Sequence, residues 1–205
     1  MPASNLPFRV LVITDRRVAK VHGGLVPAVE ECLRHGGEGV AVMLRDKDLP
    51  TPERQVIAER LRPICRAAGA LLLIHGDPGL AARVDADGIH VPDSPAGRDL
   101  LSRADSNWVL GASCHSHEGL TDARAAGAHY ATLSPILPSP GKGSPIGFGA
   151  LNTPVDLPVF ALGGLGATHA DLVRGAGGAG VAGIRAFMGA GDVAGAVRSC
   201  REAFA

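Results

Sequence analysis

The chain has 205 residues and a mass of 20.9 kDa, 46% hydrophobic with a mean hydropathy of +0.17. This suits one domain (1–205) around a packed core and excludes a disordered chain. Twenty Lys and Arg balance twenty Asp and Glu, so there is no cationic surplus for a nucleic-acid backbone or an anionic membrane surface. The longest apolar runs, such as 70–74, fall far short of the roughly 20 residues of a membrane span, and charge returns at Asp15 before a secretory signal core is complete. A cytoplasmic protein that binds neither nucleic acid nor membrane is expected.

In chain order, short β-rich runs alternate with stretches of helical spacing, the pattern of βα units around a parallel sheet. Strands are predicted over Phe8 to Thr14, Gly39 to Leu44, Ala70 to Ile74, Gly88 to Val91, Trp108 to Ala112, Tyr130 to Leu133, Val159 to Leu162 and Gly180 to Ile184. They read as continuous apolar runs, as strands covered on both faces do. Between them, Leu25, Val26, Val29, Cys32 and Leu33 share one helix face, ended by Gly36 and Gly37. A second helix opens at Thr51, read as its N-cap, with Pro63 bending or shortening it. Thr168 and Asp171 suggest a capped start for another, and the last runs through Val193, Val197, Cys200 and Phe204.

Eight strands and about eight helices leave roughly 26 residues per unit, close to the lower limit of a compact (β/α)8 TIM barrel. An open doubly wound sheet is disfavoured, since no dinucleotide fingerprint follows the first strand. The four cysteines are widely spaced, against a disulfide framework or zinc knuckle. Cys32, Cys65 and Cys200 read as helix-core sulfurs.

Chemistry in such barrels gathers on the loops after the strands, which are polar here. Gly163-Gly164 and Ile184-Arg185 follow strands seven and eight, where backbone N–H groups can hold phosphate; tight βα turns are the alternative reading. Arg45 and Lys47 alternate on an extended segment, suiting a second anion or forming a solvated pair at a strand end. His115 is the candidate proton carrier; His117, after a Ser116 cap, reads as solvent-facing, and Cys114 points away from His115. The long sixth loop from Ser134 to Gly149, carrying Ser139 and Lys142, reads as a lid. His75, His90 and His129 lack metal-ligand spacing and read as inward or supporting side chains.

These residues together resemble the thiamine phosphate synthase and TenI superfamily over nearly the whole chain. The resemblance rests on Val12-Ile13-Thr14-Asp15-Arg16, Leu44-Arg45-Asp46-Lys47, Ala86-Asp87-Gly88-Ile89-His90 and Gly111-Ala112-Ser113-Cys114-His115-Ser116. It continues through Tyr130 to Ser139, Ala161-Leu162-Gly163-Gly164-Leu165 and Ala179-Gly180-Val181-Ala182. The resemblance implies a compact (β/α)8 barrel acting on a thiazole phosphate, and allows a homodimer.

The synthase branch joins a pyrimidine diphosphate to a thiazole phosphate with Mg²⁺ assisting. Its Asn-Asp after strand three is His75-Gly76 here, and its His-Leu-Gly-Gln-x-Asp is His90-Val91-Pro92-Asp93-Ser94-Pro95. Asp77 or Asp93 would have to serve as replacement ligands. The branch's Gln before Leu-Arg-Glu-Lys is Met43, and its Thr-x-Thr-Lys is Ser139-Pro140-Gly141-Lys142. These departures place the chain nearer the TenI branch, whose members lack the metal site. The expectation is thus a cofactor-free thiazole tautomerase with His115 catalytic and Arg45, Lys47, Ser134, Ser139, Lys142, Gly163, Gly164, Ile184 and Arg185 binding substrate. A synthase needing Mg²⁺ and a non-catalytic phosphate-binding barrel stand as alternatives.

Overall fold

Along β1 (Phe8–Ile13), Leu11 and Ile13 pack inside a barrel while Val10 and Val12 pack outward against helices, and this alternation organises the whole sheet. In the computed structural model, which describes residues 6–189 and 191–205, seven strands follow. They are β2 (Gly39–Leu44), β3 (Leu71–His75), β4 (Gly88–Val91), β5 (Val109–Cys114), β6 (Tyr130–Leu133), β7 (Val159–Ala161) and β8 (Gly180–Gly183). Each runs parallel to the next, and β8 returns to β1 through Val10 and Val181, closing an eight-stranded (β/α)8 barrel.

The helices are α1 (Leu25–Cys32), α2 (Thr51–Ala68), α3 (Pro78–Arg83), α4 (Pro95–Ser102), α5 (His117–Ala125), α6 (Ala170–Gly175), α7 (Arg185–Met188) and α8 (Val193–Ala203). The expected one helix per strand fails at the sixth unit. Among the described residues only a 3-10 turn, Phe148–Leu151, lies between β6 and β7, because the Pro- and Gly-rich loop occupies that stretch of chain. No helix of the described residues is long and apolar enough to cross a membrane.

Three local expectations are corrected. Pro63 does not shorten α2, which runs eighteen residues through it to a left-handed Gly69. Thr51 is the first helical residue after Pro50, and its hydroxyl faces Asp77 and Arg54 instead of capping. Thr168 caps nothing: it sits in a 3-10 turn, Ala167–His169, and α6 starts without a side-chain cap.

Three of the side-chain caps that do form sit beside strand ends, the fourth being Asp192 on α8. Asp77 accepts from Leu80 N, Ser94 from Gly97 N and Ser116 from Gly119 N, so each helix is seeded at the mouth its strand has just reached. Outside the barrel, Val, Leu, Ile and Ala pack with buried Cys32, Cys65, Cys114 and Cys200 between sheet and helices. Inside its lower half, Phe8, Tyr130 and Phe160 form an aromatic plug with ring centroids 5.1 to 5.4 Å apart. Gly111 makes room for it, since a Cβ there would lie 2.3 Å from the Tyr130 ring.

Candidate active site

The inward register of each strand, carried past its end, supplies the residues of one cavity of about 310 Å³ at the mouth. Its floor is Ile13, Met43, His75, His90, Ser113, Thr132 and Leu162; its rim includes Arg45, Lys47, Pro92, Asp93, His115, Ser139 and Lys142.

The second loop is fixed by a buried relay. Arg45 N donates to Thr14 Oγ1 (3.0 Å), Thr14 donates to Asp46 Oδ2 (2.7 Å), and Asp46 Oδ1 accepts from Arg16 N (2.9 Å). With Asp46 turned inward to this network, its neighbours Arg45 and Lys47 both reach the cavity, as alternation requires. The Arg16 guanidinium is held by Asp48 at 2.7 Å, which raises its pKa and lowers that of Asp48. Arg16 therefore braces the rim, while Arg45 and Lys47 face the cavity.

At the floor, burial lowers the pKa of His75 to about 4, aided by the Arg45, Lys47 and Arg54 cations. Burial likewise takes His90 down to about 3, with His75 adding to the shift. Both rings are neutral at pH 7. His90 lies between the Tyr130 hydroxyl (2.9 Å) and Ser113 Oγ (3.0 Å).

His115 Nδ1 lies 2.8 Å from the Ser134 carbonyl oxygen. A carbonyl only accepts, so Nδ1 carries a proton, and Nε2 has no hydrogen-bond partner among the described residues. Ser134 is buried with its hydroxyl 3.3 Å from the same nitrogen; it lines the cavity chiefly as the residue that orients His115. Cys114 faces the helices, donates to Gly119 O and is pushed up to about 12 by burial, which removes it as a thiolate nucleophile. His117 is exposed as expected, yet its Nε2 donates to Ala150 O (2.8 Å) and tethers the turn after the sixth loop.

Ser139 and Lys142 arch over the cavity and also line an adjoining compartment of about 420 Å³, together with Arg45, Gly163, Gly164, Ile184 and Arg185. The Gly163 and Gly164 N–H groups donate to no other described residue. Both glycines are obligatory: φ is +100° and +69°, and a Cβ would lie 2.9 Å from Pro135 Cα and 2.7 Å from Pro138 O. The structure thus brings together Arg45, Lys47, Ser134, Ser139, Lys142, Gly163, Ile184 and His115 around one cavity, with Gly164 and Arg185 in the next.

A divalent cation fits these residues poorly. Both Asp77 oxygens are taken, Oδ1 by Leu80 N (2.8 Å) and Oδ2 by Arg54 (2.6 Å). Asp93 is tied to Arg98 (2.9 Å). Among the described residues no group of three or more His, Cys, Asp or Glu is placed to hold a metal ion.

Sequence reasoning missed the Thr14–Asp46 relay and the roles of Ser113, Thr132 and Tyr130. The available signal was polar residues at inward positions of otherwise apolar strands.

Fold and mouth together define a (β/α)8-barrel protein with its chemistry on the loops after the strands. A family model described as "Thiamine monophosphate synthase" matches residues 10–187, and the chain belongs to that family. It is 37% identical over 197 residues to a thiamine-phosphate synthase of Roseiflexus castenholzii, covering 93% of this chain and 85% of that protein. It is 34% identical over 185 residues to a putative thiamine-phosphate synthase 2 of Aquifex aeolicus, covering 88% and 97%. The solved thiamine phosphate pyrophosphorylase of Pyrococcus furiosus superposes with a TM-score of 0.84 at 32% identity, covering 96% and 95%. The protein is an enzyme-family barrel of thiamine biosynthesis. These relatives carry synthase names, whereas the sequence departures pointed towards the TenI branch.

Proposed function

We propose that this chain is a cytoplasmic thiamine-phosphate synthase, a transferase joining a pyrimidine diphosphate to a thiazole phosphate. The thiazole nitrogen forms a bond to the pyrimidine's methylene carbon as that carbon's bond to the diphosphate oxygen breaks, and the diphosphate leaves with the electron pair. The observation that carries this reading is the pair of adjoining compartments sharing Arg45, Ser139 and Lys142, room for two anionic groups meeting at one wall. Gly163 and Gly164 N–H groups, with Arg185 nearby, take the phosphate. Arg45, Lys47 and Lys142 take the charge that develops on the departing diphosphate, in the manner of preorganised electrostatic stabilisation. The names of the relatives support the same reaction.

A second reading, the metal-independent thiazole tautomerase, is favoured by one observation: Asp77 and Asp93 are engaged in ion pairs while His115 Nε2 has no hydrogen-bond partner among the described residues. There His115 would remove the proton from the ring carbon beside the carboxylate and deliver one to the exocyclic carbon.

The test supplies purified protein with both coupling substrates, with Mg²⁺ and separately with chelator, and follows thiamine phosphate by chromatography. Coupling is the expected result. If no coupling occurs in either condition, while the thiazole tautomer phosphate is aromatised and His115→Ala abolishes that, the tautomerase replaces the synthase.

A further inference from the structure

The buried and half-buried arginines sort by their partners, because a guanidinium taken partly out of water needs an opposite charge or a set of acceptors. Arg16, Arg54, Arg62 and Arg98 are each ion-paired to an aspartate. Arg9, Arg45 and Arg201 are half-buried and have no ion-pair partner among the described residues, and no Asp or Glu occurs at 1–5 or 190. Arg45 lines the cavity at the mouth. Arg9 and Arg201 stand at the opposite end of the barrel, where β1 and β2 begin, and line one cleft of about 420 Å³ with Gly39 and Phe204.

The backbone sets up both guanidiniums. Phe8 pairs with Gly39 and Val10 with Val40, so Arg9 is the extra residue of a bulge, the device by which a strand re-aims a side chain. Arg9 Nη1 donates to Leu6 O (2.9 Å) and Phe8 O (3.0 Å). Arg201, on α8, donates through Nη1 to His35 O (3.3 Å) and Gly36 O (3.1 Å). In each, one nitrogen is fixed by backbone carbonyls, and the edge formed by Nε and Nη2 has no protein acceptor among the described residues. That edge is the one that meets a carboxylate through two parallel hydrogen bonds. Gly39 keeps the cleft open beside it, since a Cβ there would lie 3.7 Å from Arg201 Nε.

Other groups around the cleft narrow the ligand. Half-buried Phe204 supplies an apolar wall for a flat ring. Glu202 is drawn to Arg198 (3.9 Å), and the Glu38 stem leans on the end of α2, its Cγ 3.4 Å from where a Gly69 Cβ would lie. These two carboxylates leave room for one negative charge and oppose a second, which favours a carboxylate over a phosphate dianion. We propose that the cleft is a second ligand site, separate from the mouth, for a small aromatic carboxylate. Its charged end lies on the Arg9 and Arg201 guanidiniums and its ring on Phe204. The site does not rest on the synthase reading above.

The test titrates the full chain with benzoate at low salt and follows the backbone amides by ¹H–¹⁵N NMR. Saturable shifts are expected at Gly39, Arg201 and Phe204. The Kd read from them should rise about tenfold in Arg9→Gln and in Arg201→Gln and stay unchanged in Arg45→Gln. Benzyl alcohol, a similar ring without the charge, should bind about tenfold more weakly than benzoate. Shifts that stay linear in benzoate, that appear only at Gly163 and Gly164, or that respond to Arg45→Gln alone would overturn the proposal. Equal binding of benzyl alcohol would overturn it as well. The amide spectrum shows whether each variant folds; where one does not, benzoate against benzyl alcohol on the wild-type chain decides.

Discussion

The lower and upper halves of the barrel interior are built on the same inward register and filled in opposite ways. Below, Phe8, Tyr130 and Phe160 close the barrel with tilted and edge-on rings. Above, two residues further along neighbouring strands, the same register delivers Ser113 on β5 and Thr132 on β6, with His75 and His90 ending the inward rows of β3 and β4. Stability and chemistry are thereby separated along one axis, and Tyr130 spans the join with its ring in one half and its hydroxyl in the other. Lower positions should therefore govern whether the chain folds, and upper ones what it binds.

Phe160→Ala should test that division hardest, costing about 3–5 kcal/mol in urea unfolding because a fully buried ring leaves a cavity among rings that cannot collapse. Gly111→Ala should follow at about 1–3 kcal/mol, since the methyl would meet the Tyr130 ring. A smaller loss at Phe160 would show that the plug is not what holds the barrel shut.

Acid should weaken the fold through the upper half, because its imidazoles take up protons only when the chain unfolds. His75 and His90 have folded pKa values of about 4 and about 3 against an ordinary 6.5, so the unfolded chain binds more protons below 6.5. Their stabilising effect is complete above that value and is lost as pH falls from 6.5 towards 4 and 3, on the order of 2 kcal/mol per ring at pH 5. Thermal melts from pH 7.5 to 5 should show the decline, and His75→Asn should flatten it. A pH-independent melting temperature would break the assignment of neutral rings to the floor.

Lys142→Ala sharpens the comparison from the other side. Exposed at the tip of the sixth loop, it should change stability by less than about 0.5 kcal/mol while lowering kcat/KM for coupling about tenfold. A marked loss of stability would show that rim and core are not separate.

All eight strands were legible in the sequence because continuous apolar runs bounded by glycine and charge have few other readings. Several edges moved by a residue, as in β3, which was read over 70–74 and runs Leu71–His75; the largest displacement was β5, read as ending at Ala112. Trp108 looked like its start, but lies in a turn closed by its own N–H to Asp105 O, and the strand runs on to Cys114. That shift matters, since it brings Ser113 into the inward register. The rim was legible because charge at strand ends has a place to go in a barrel; Arg45, Lys47 and Lys142 sit where their positions implied. The floor was not, because His75 and His90 look alike whether they pack silently or face a ligand, and only spatial neighbours tell the two apart. The helix caps at Thr51 and Thr168 failed for a related reason. A threonine hydroxyl serves whichever partner tertiary packing brings, and Thr51 found Asp77 and Arg54.

The base of the sixth loop is stitched by backbone hydrogen bonds, Ile136 and Leu137 to the seventh loop and Ile146 and Gly147 back to Pro135 and Ile136. Residues 140–146 beyond it are exposed. Length and sequence at such a tip can drift without disturbing the stitches below. Inheritance can thus rewrite the rim of this barrel, residue by residue, while the folded body it stands on passes unchanged from one descendant to the next.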